Sequence, residues 1–335
     1  MRNRIHGFVL FIIITGFSFN PVIAQPRIIF DTDFGGDADD LGALVMLYNM
    51  MDRGELDLLA VMSWSTERYT IPAIDAVSRF YGYGDIPLGV RKDGTHYQAW
   101  NYNEPIAKAM EYERTYDSVP DAIHLYRKIL AASEDNSVII VTVGPLMNIK
   151  NLIQSGPDHY SDLPGNELIE KKVEKFVIMG GRFPEGEWEW NFSGNMPGVT
   201  RFVLDNLTVP ITFSGFEVGL PIRTGTRLNE LDPSHPLYIG YMHFSEHASW
   251  MADRFEGEIL DNASYDQTAV LYAVRGEIST LWEYVENGYC QPDDDGGNKW
   301  ISGNEHPEKD HRYLRLLTEP GEVAEIIESI MLNEF

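Results

Sequence analysis

The sequence predicts a single α/β domain, a mostly parallel central sheet flanked by helices, with a hairpin-like appendage near its C-terminal end. Three observations carry that expectation. Short apolar runs alternate with stretches of helical period from residue 27 to residue 274, the pattern of crossover units around a sheet covered on both faces. No linker, internal repeat or low-complexity segment divides the 335 residues, and large α/β domains reach this length as one unit. Hydrophobic residues make up 44% and aromatics 12%, ample for one packed core.

In chain order, Arg27 to Asp31 reads as a buried strand. Asp39 to Met51 follows as a helix with Leu41, Leu44, Val45 and Tyr48 on one face. Leu56 to Met62 is the second strand, and Ile71 to Tyr81 the second helix. The runs Ile86–Val90, Ser137–Val143, Val173–Met179 and Val209–Phe213 are short, apolar and strand-like. Between them, Pro120–Ala132, Pro145–Gln154 and Pro197–Asn206 have helical character, as does Gln267–Val274. Trp282 to Leu317 is turn-rich and is the expected hairpin.

The first 24 residues stand apart. Arg2 and Arg4 precede an apolar run from Phe8 to Phe19, and Val22-Ile23-Ala24 places small residues before Gln25. These are the charged, apolar and cleavage regions of a secretory signal peptide. The run is short of the roughly 20 residues that span a bilayer. The expectation is therefore an exported domain, residues 25–335, periplasmic or secreted and free of the membrane after cleavage.

Lys and Arg number 26 against 51 Asp and Glu, a formal net charge of −25. No basic block exists to grip a phosphate backbone, which excludes nucleic acid as a partner. The single cysteine, Cys290, rules out an intrachain disulfide and has no His-rich motif to activate it.

The chemistry concentrates at the end of the first strand. Asp31, Asp33, Asp37, Asp39 and Asp40 fall within ten residues, with Gly35 and Gly36 between them. In an open parallel sheet this loop lies at the carboxyl ends of the strands, where ligands bind. Converging carboxylates raise one another's pKa unless a cation neutralises them. An oxygen-only donor set suits Ca2+ or Mg2+ rather than Zn2+, and an exported protein meets ample calcium. Helix capping accounts for Asp39 or Asp40 but not for the strand-side aspartates.

Asp31-Thr32-Asp33-x-Gly35 with Asp39-Asp40 resembles the N-terminal signature of the inosine-uridine-preferring nucleoside hydrolase family, in a longer form with Gly36-Asp37-Ala38 inserted. Val141 to Asn148, containing Gly144-Pro145-Leu146, resembles the family's Gly-Pro-Leu-Thr-Asn segment. Met179-Gly180-Gly181 and Glu189-Trp190-Asn191-Phe192 resemble its Met-Gly-Gly and Glu-Phe-Asn pair, and Tyr265-Asp266 its His-Asp-Pro motif. The resemblance implies a nucleoside hydrolase-like, open Rossmann-type core and Ca2+-dependent hydrolysis of the N-glycosidic bond of a ribonucleoside or related riboside. By position it implies Asp33, Asp40, Asp266 and the Val143 carbonyl as metal ligands, and Asp39 on a ribose hydroxyl. Glu189 and Asn191 would bind other sugar oxygens, and Asn195 stands where the family carries a supporting aspartate. Asp37 competes with Asp39 for the sugar contact. A homodimer or tetramer is admitted by the resemblance alone.

A dense carboxylate cluster suits this reaction independently, since it stabilises the oxocarbenium-like state. Asp33 is the candidate base for a water held by the metal. Two positions depart from the family. Tyr265 replaces the histidine that protonates the leaving base, and Met62-Ser63-Trp64-Ser65 replaces a sugar-contacting Gly-Asn. Leaving-group activation then falls to stacking on Trp64, Trp188 or Trp190, or to His235, His243 or His247. Asp293 to Asn298 lacks the glutamate of a calcium loop and reads as a hairpin turn. Two alternatives stand beside hydrolysis: a calcium-dependent sugar-binding protein without turnover, and a haloacid-dehalogenase-type phosphatase with Asp31 and Asp33 as its Asp-x-Asp pair.

Overall fold

A computed structural model of the chain describes residues 25–94, 101–276, 280–303 and 305–334. The expected leader, residues 1–24, lies outside the described residues. The strands are β1 (Arg27–Thr32), β2 (Asp57–Ser63), β3 (Leu88–Val90), β4 (Val138–Thr142), β5 (Val173–Met179), β6 (Glu185–Gly186), β7 (Ile211–Ser214), β8 (Arg223–Thr224), β9 (Asn262–Ala263), β10 (Trp282–Val285), β11 (Gly288–Pro292), β12 (Asn298–Ser302) and β13 (His311–Leu316). The helices are α1 (Asp39–Asp52), α2 (Thr70–Phe80), α3 (Asn103–Ala109), α4 (Ala122–Ala132), α5 (Met147–Gln154), α6 (Gly165–Lys172), α7 (Trp190–Ser193), α8 (Val199–Asn206), α9 (Phe216–Gly219), α10 (Pro236–His247), α11 (Tyr265–Arg275) and α12 (Pro320–Met331).

The main sheet has eight strands in the order β10-β13-β7-β5-β4-β1-β2-β3. Every neighbouring pair is parallel except β10 with β13. After Arg27, β1 is buried throughout, as is all of β4. Strands covered on both faces lose the alternation of polar and apolar residues, which is why these runs are continuously apolar. One core layer includes α1, α2, α11 and α12, and the other α4, α5, α6 and α8.

From β1 the chain builds β2 and β3 on one side, then returns to place β4 on the other. The crevice beyond the carboxyl ends of β1 and β4 is thus a topological switch point, the place where open α/β sheets take ligands. Val143 N donates to the Asp31 carbonyl at 2.8 Å and stitches the two strand ends together.

Two expectations are refined. The first helix does not carry a single apolar face: α1 is buried from Asp39 to Met50 because α10, α11 and α12 also pack on it, and a helix enclosed on all sides is apolar all round. The tail supplies the hairpin, β11–β12, but this pairs with β6 in a separate sheet, while β13 and β10 extend the main one. No helix among the described residues is long and apolar enough to cross a membrane.

The buried Asn49 amide of α1 donates to the carbonyls of Ile330 at 2.8 Å and Met331 at 3.0 Å, at the C-terminal end of α12 where carbonyls lack helical partners. The Ile330 carbonyl also accepts the Asn333 N–H at 3.1 Å, so Asn49→Ala removes both amide bonds and chiefly strands the Met331 carbonyl, at a cost of about 1–3 kcal/mol. A fall in Tm of a few degrees by calorimetry is the expected outcome, and an unchanged Tm would show that these carbonyls find water instead.

Candidate active site

At the switch point lies a cavity of about 820 Å3 whose lining includes Asp33, Asp37, Asp39, Asp40, Val143, Glu189, Trp190, Asn191, Tyr265 and Asp266. These ten residues, each assigned to metal, sugar or base from the sequence, therefore converge, although they come from both ends of the chain. Asp39 and Asp40 open α1, and Asp266 lies in the first turn of α11. The two helices pack side by side, so both positive N-terminal ends point at one place.

Asp39, Asp40 and Asp266 each place a carboxylate oxygen within 4.8 Å of the others, and all three are buried. Thr32 Oγ1 donates to Asp40, and the backbone N–H of Asp266 donates to Asp39 at 3.2 Å. No Lys or Arg forms an ion pair with them among the described residues. Burial, with mutual repulsion, pushes all three well above the usual carboxylate range. Such an all-oxygen, uncompensated donor set fits a hard divalent cation.

Asp33 stands beside this triad. Its Oδ2 accepts the Trp190 indole N–H at 2.7 Å, and burial raises its pKa to about 7 against the lowering effect of that bond. Its charge still acts on Asp40 and Asp266. The close approach is possible because residue 144 is glycine: a Cβ there would fall 2.8 Å from Asp33 N. Asp37, half-buried, accepts from Asn262 of β9 and from the Asp39 N–H.

Glu189 caps α7, accepting from the N–H groups of Asn191, Phe192 and Gly181 at 2.9–3.0 Å. Its oxygens are largely engaged in shaping the loop. Asn191 Nδ2 donates to the carbonyls of Val143 and Met179 at 3.2 Å, while its buried Oδ1 has no partner. Tyr265 stacks on Phe216 with centroids 4.9 Å apart, and burial raises its phenol above the usual range.

Several expectations are corrected. Trp64 is fully buried, with the Arg91 guanidinium 4.7 Å over its ring and Trp190 edge-on at 6.2 Å, so it cannot stack on a base. His243 and His247 stack on each other along α10 and His235 caps that helix; none lines the cavity. Asp31, the first aspartate of the phosphatase alternative's Asp-x-Asp pair, accepts from Tyr126 at 2.8 Å and Asn148 at 3.0 Å and does not line the cavity. Asp293 accepts the N–H groups of Asp295, Gly296 and Gly297, the expected hairpin turn. Cys290 is buried and its thiol pKa is raised by burial, consistent with an inert residue.

Sequence reading missed Arg182, Phe216, Leu220, Arg223 and Trp250 in the lining. Trp188 and Trp250 are about half exposed at 48% and 51%, and exposed tryptophans gathered on one cavity are the signal that a folded structure reveals.

Raised carboxylate pKa values mean that the metal-free fold binds more protons than the unfolded chain. Its stability therefore falls as pH rises from the ordinary value of 3.8 toward about 7. Thermal melts in chelator are expected to show a lower Tm at about pH 7.5 than at about pH 5. Millimolar divalent cation at matched ionic strength should raise the Tm at the higher pH. A Tm insensitive to the cation would reject the site.

Residues 28–297 match the model of the inosine-uridine preferring nucleoside hydrolase family. No curated protein sequence matches the chain. Solved structures similar to it include the plant nucleoside hydrolase PpNRh1, 18% identical with a TM-score of 0.65, covering 92% of this chain and 99% of that one. Another is a purine-preferring ribonucleoside hydrolase from Gardnerella vaginalis, 15% identical with a TM-score of 0.69, covering 92% and 98%. The type III effector XopQ, solved with adenosine diphosphate ribose, is 14% identical with a TM-score of 0.62, covering 92% of both chains. With the family model spanning most of its length and the same fold around an acidic switch-point cavity, this chain belongs to the inosine-uridine preferring nucleoside hydrolase family and is an N-glycosyl hydrolase.

Proposed function

We propose that the chain hydrolyses the N-glycosidic bond of ribonucleosides or related N-ribosides in a calcium-dependent reaction, outside the cytoplasm, releasing base and ribose. The observation that carries this reading is the buried triad Asp39, Asp40 and Asp266, ion-paired with no Lys or Arg among the described residues, at an aromatic-rimmed cavity. These three, with the Val143 carbonyl and Asp33 nearby, would hold the ion. When bound, the cation supplies positive charge that orients sugar hydroxyls and acidifies a water.

The remaining steps belong to the chain's own groups. Asp33 takes the proton of the attacking water; a base with a pKa near the working pH is the most effective. Positive charge developing on the sugar is stabilised by the surrounding carboxylates. Asn191 Oδ1, buried and without a partner, accepts a sugar hydroxyl, while Asp37 and Glu189 supply further acceptors. Trp188, Trp190 and Trp250 offer faces to the base, worth about 1–3 kcal/mol per stacked base. Tyr265 keeps its proton at neutral pH and donates it poorly, so binding of the departing base carries more of the load than proton transfer.

A reducing-sugar assay over a panel of ribonucleosides, with calcium and with chelator, tests the reading. Release is expected only with calcium, and turnover that survives full chelation would sink the metal mechanism. Ribose binding by calorimetry without turnover on any riboside would instead support a sugar-binding protein. Asp33→Asn should lower kcat by about 10²–10⁴-fold, and a loss below tenfold would remove Asp33 as base. Trp190→Phe deletes the N–H that favours the Asp33 carboxylate. The acid limb of kcat/KM should then move to higher pH, and an unmoved limb would detach Trp190 from the base.

A further inference from the structure

Arg182 is an anomaly in so acidic a chain. Among the described residues lining the cavity, the cationic ones are Arg182 and Arg223. Arg223 is committed to Asp261, at 3.2 Å from its Oδ2 and 2.9 Å from its carbonyl. Among the described residues Arg182 makes no ion pair, and its Nε is buried with no hydrogen-bond partner. Its guanidinium lies 3.9 Å over the Phe216 ring, which in turn stacks on Tyr265 next to Asp266. The charge acts on Glu189, Glu217 and Tyr265, yet the side chain bonds to none of them.

The position is built rather than incidental. Asn298 of the β11–β12 hairpin clamps the backbone of Arg182, accepting its N–H and donating to its carbonyl, each at 2.8 Å. Residue 186 is glycine, and a Cβ there would come within 2.5 Å of the Arg182 Cβ. The arginine stem is thus seated close against the β6 backbone while its head stays over Phe216. A buried Nε–H without a partner is costly, and the planar guanidinium fork matches an oxyanion such as phosphate or carboxylate. A neutral nucleoside carries no such group.

We propose that Arg182 forms an oxyanion subsite in the wall of this cavity, so that the preferred substrates are N-ribosides bearing an anionic group, a 5′-phosphate or a carboxylate on the base. The proposal rests on the riboside-hydrolase reading and adds its substrate class. Water still adds across the bond between sugar and base, and the anionic group leaves unchanged on one of the two products.

The test compares uridine, uridine 5′-monophosphate and orotidine as substrates in calcium. One of the anionic pair should exceed uridine in kcat/KM by about tenfold or more. Preference for the monophosphate identifies phosphate as the group held, and preference for orotidine identifies the carboxylate. Arg182→Gln should reduce that ratio by about 10–100-fold, with Arg182→Lys retaining part of it because charge survives without the fork. A ratio near one, or a ratio that Arg182→Gln does not change, overturns the subsite while leaving the hydrolase standing. Calorimetry of ribose 5-phosphate against ribose, and orotidine against uridine, separates the two ideas if turnover is absent. Tighter binding of an anionic member, lost in Arg182→Gln, keeps the subsite and rejects the hydrolase; equal binding within both pairs rejects the subsite.

Discussion

Buried negative charge that no Lys or Arg among the described residues pairs with governs this molecule. Asp39, Asp40 and Asp266 are each almost inaccessible to solvent, and the effective penalty for burying an ion is several kcal/mol. The convergent N-termini of α1 and α11 offset part of it, but a helix terminus contributes only about 0.3–2 kcal/mol. The Thr32 hydroxyl and the Asp266 N–H add hydrogen bonds to the charged groups, again of modest size. These contributions leave a deficit, met either by protonation, which the raised pKa values express, or by a divalent ion. The fold serves the second outcome, because the topology that reverses between β1 and β4 opens a crevice where an ion and a sugar can meet.

The same constraint explains the surroundings of the triad. Asp31 sits on the same strand as the acidic loop, yet Tyr126 and Asn148 bind both its oxygens and hold it out of the cavity. Glu189 is similarly engaged by three backbone N–H groups. Carboxylates that share this region thus divide into those bound by neutral donors, which shape loops, and those facing one another. Identical side chains acquire different chemistry through the donors that reach them.

What the sequence made legible follows from distance along the chain. The strand Arg27–Asp31 and the acidic turn behind it are local patterns, readable from apolar runs and residue spacing. Asp266 reaches Asp39 across 227 positions, and only resemblance to a family placed it there. Trp250, Phe216 and Arg182 carry no local mark, since an isolated tryptophan or arginine reads the same on a rim as on any surface. Trp64 shows the converse: a tryptophan at a position the family uses for sugar contact was a reasonable stacking candidate, but Arg91 and Trp190 enclose it. Helices such as α6, whose Gly-Asn-Glu-Leu-Ile-Glu-Lys-Lys offers only two adjacent apolar residues, were invisible for want of a periodic face.

Asp33 is where these threads meet. A ligand pressed against a divalent ion is a weak base, because the ion stabilises its carboxylate. A carboxylate far from the ion cannot reach the water that the ion orients. Trp190 engages one oxygen of Asp33 at 2.7 Å, while the close approach of Gly144 keeps its backbone near. Its charge remains near enough to act on Asp40 and Asp266. In the proposed mechanism Asp33 would stand between the two limits, and burial lifts its pKa to about 7 in the metal-free fold. The departure at Tyr265 then becomes intelligible in physical terms. With a phenol whose pKa burial has raised, Tyr265 would be a poor donor to the departing base, and the proposed hydrolysis would lean on activation of the water and stabilisation of the sugar cation by the carboxylates.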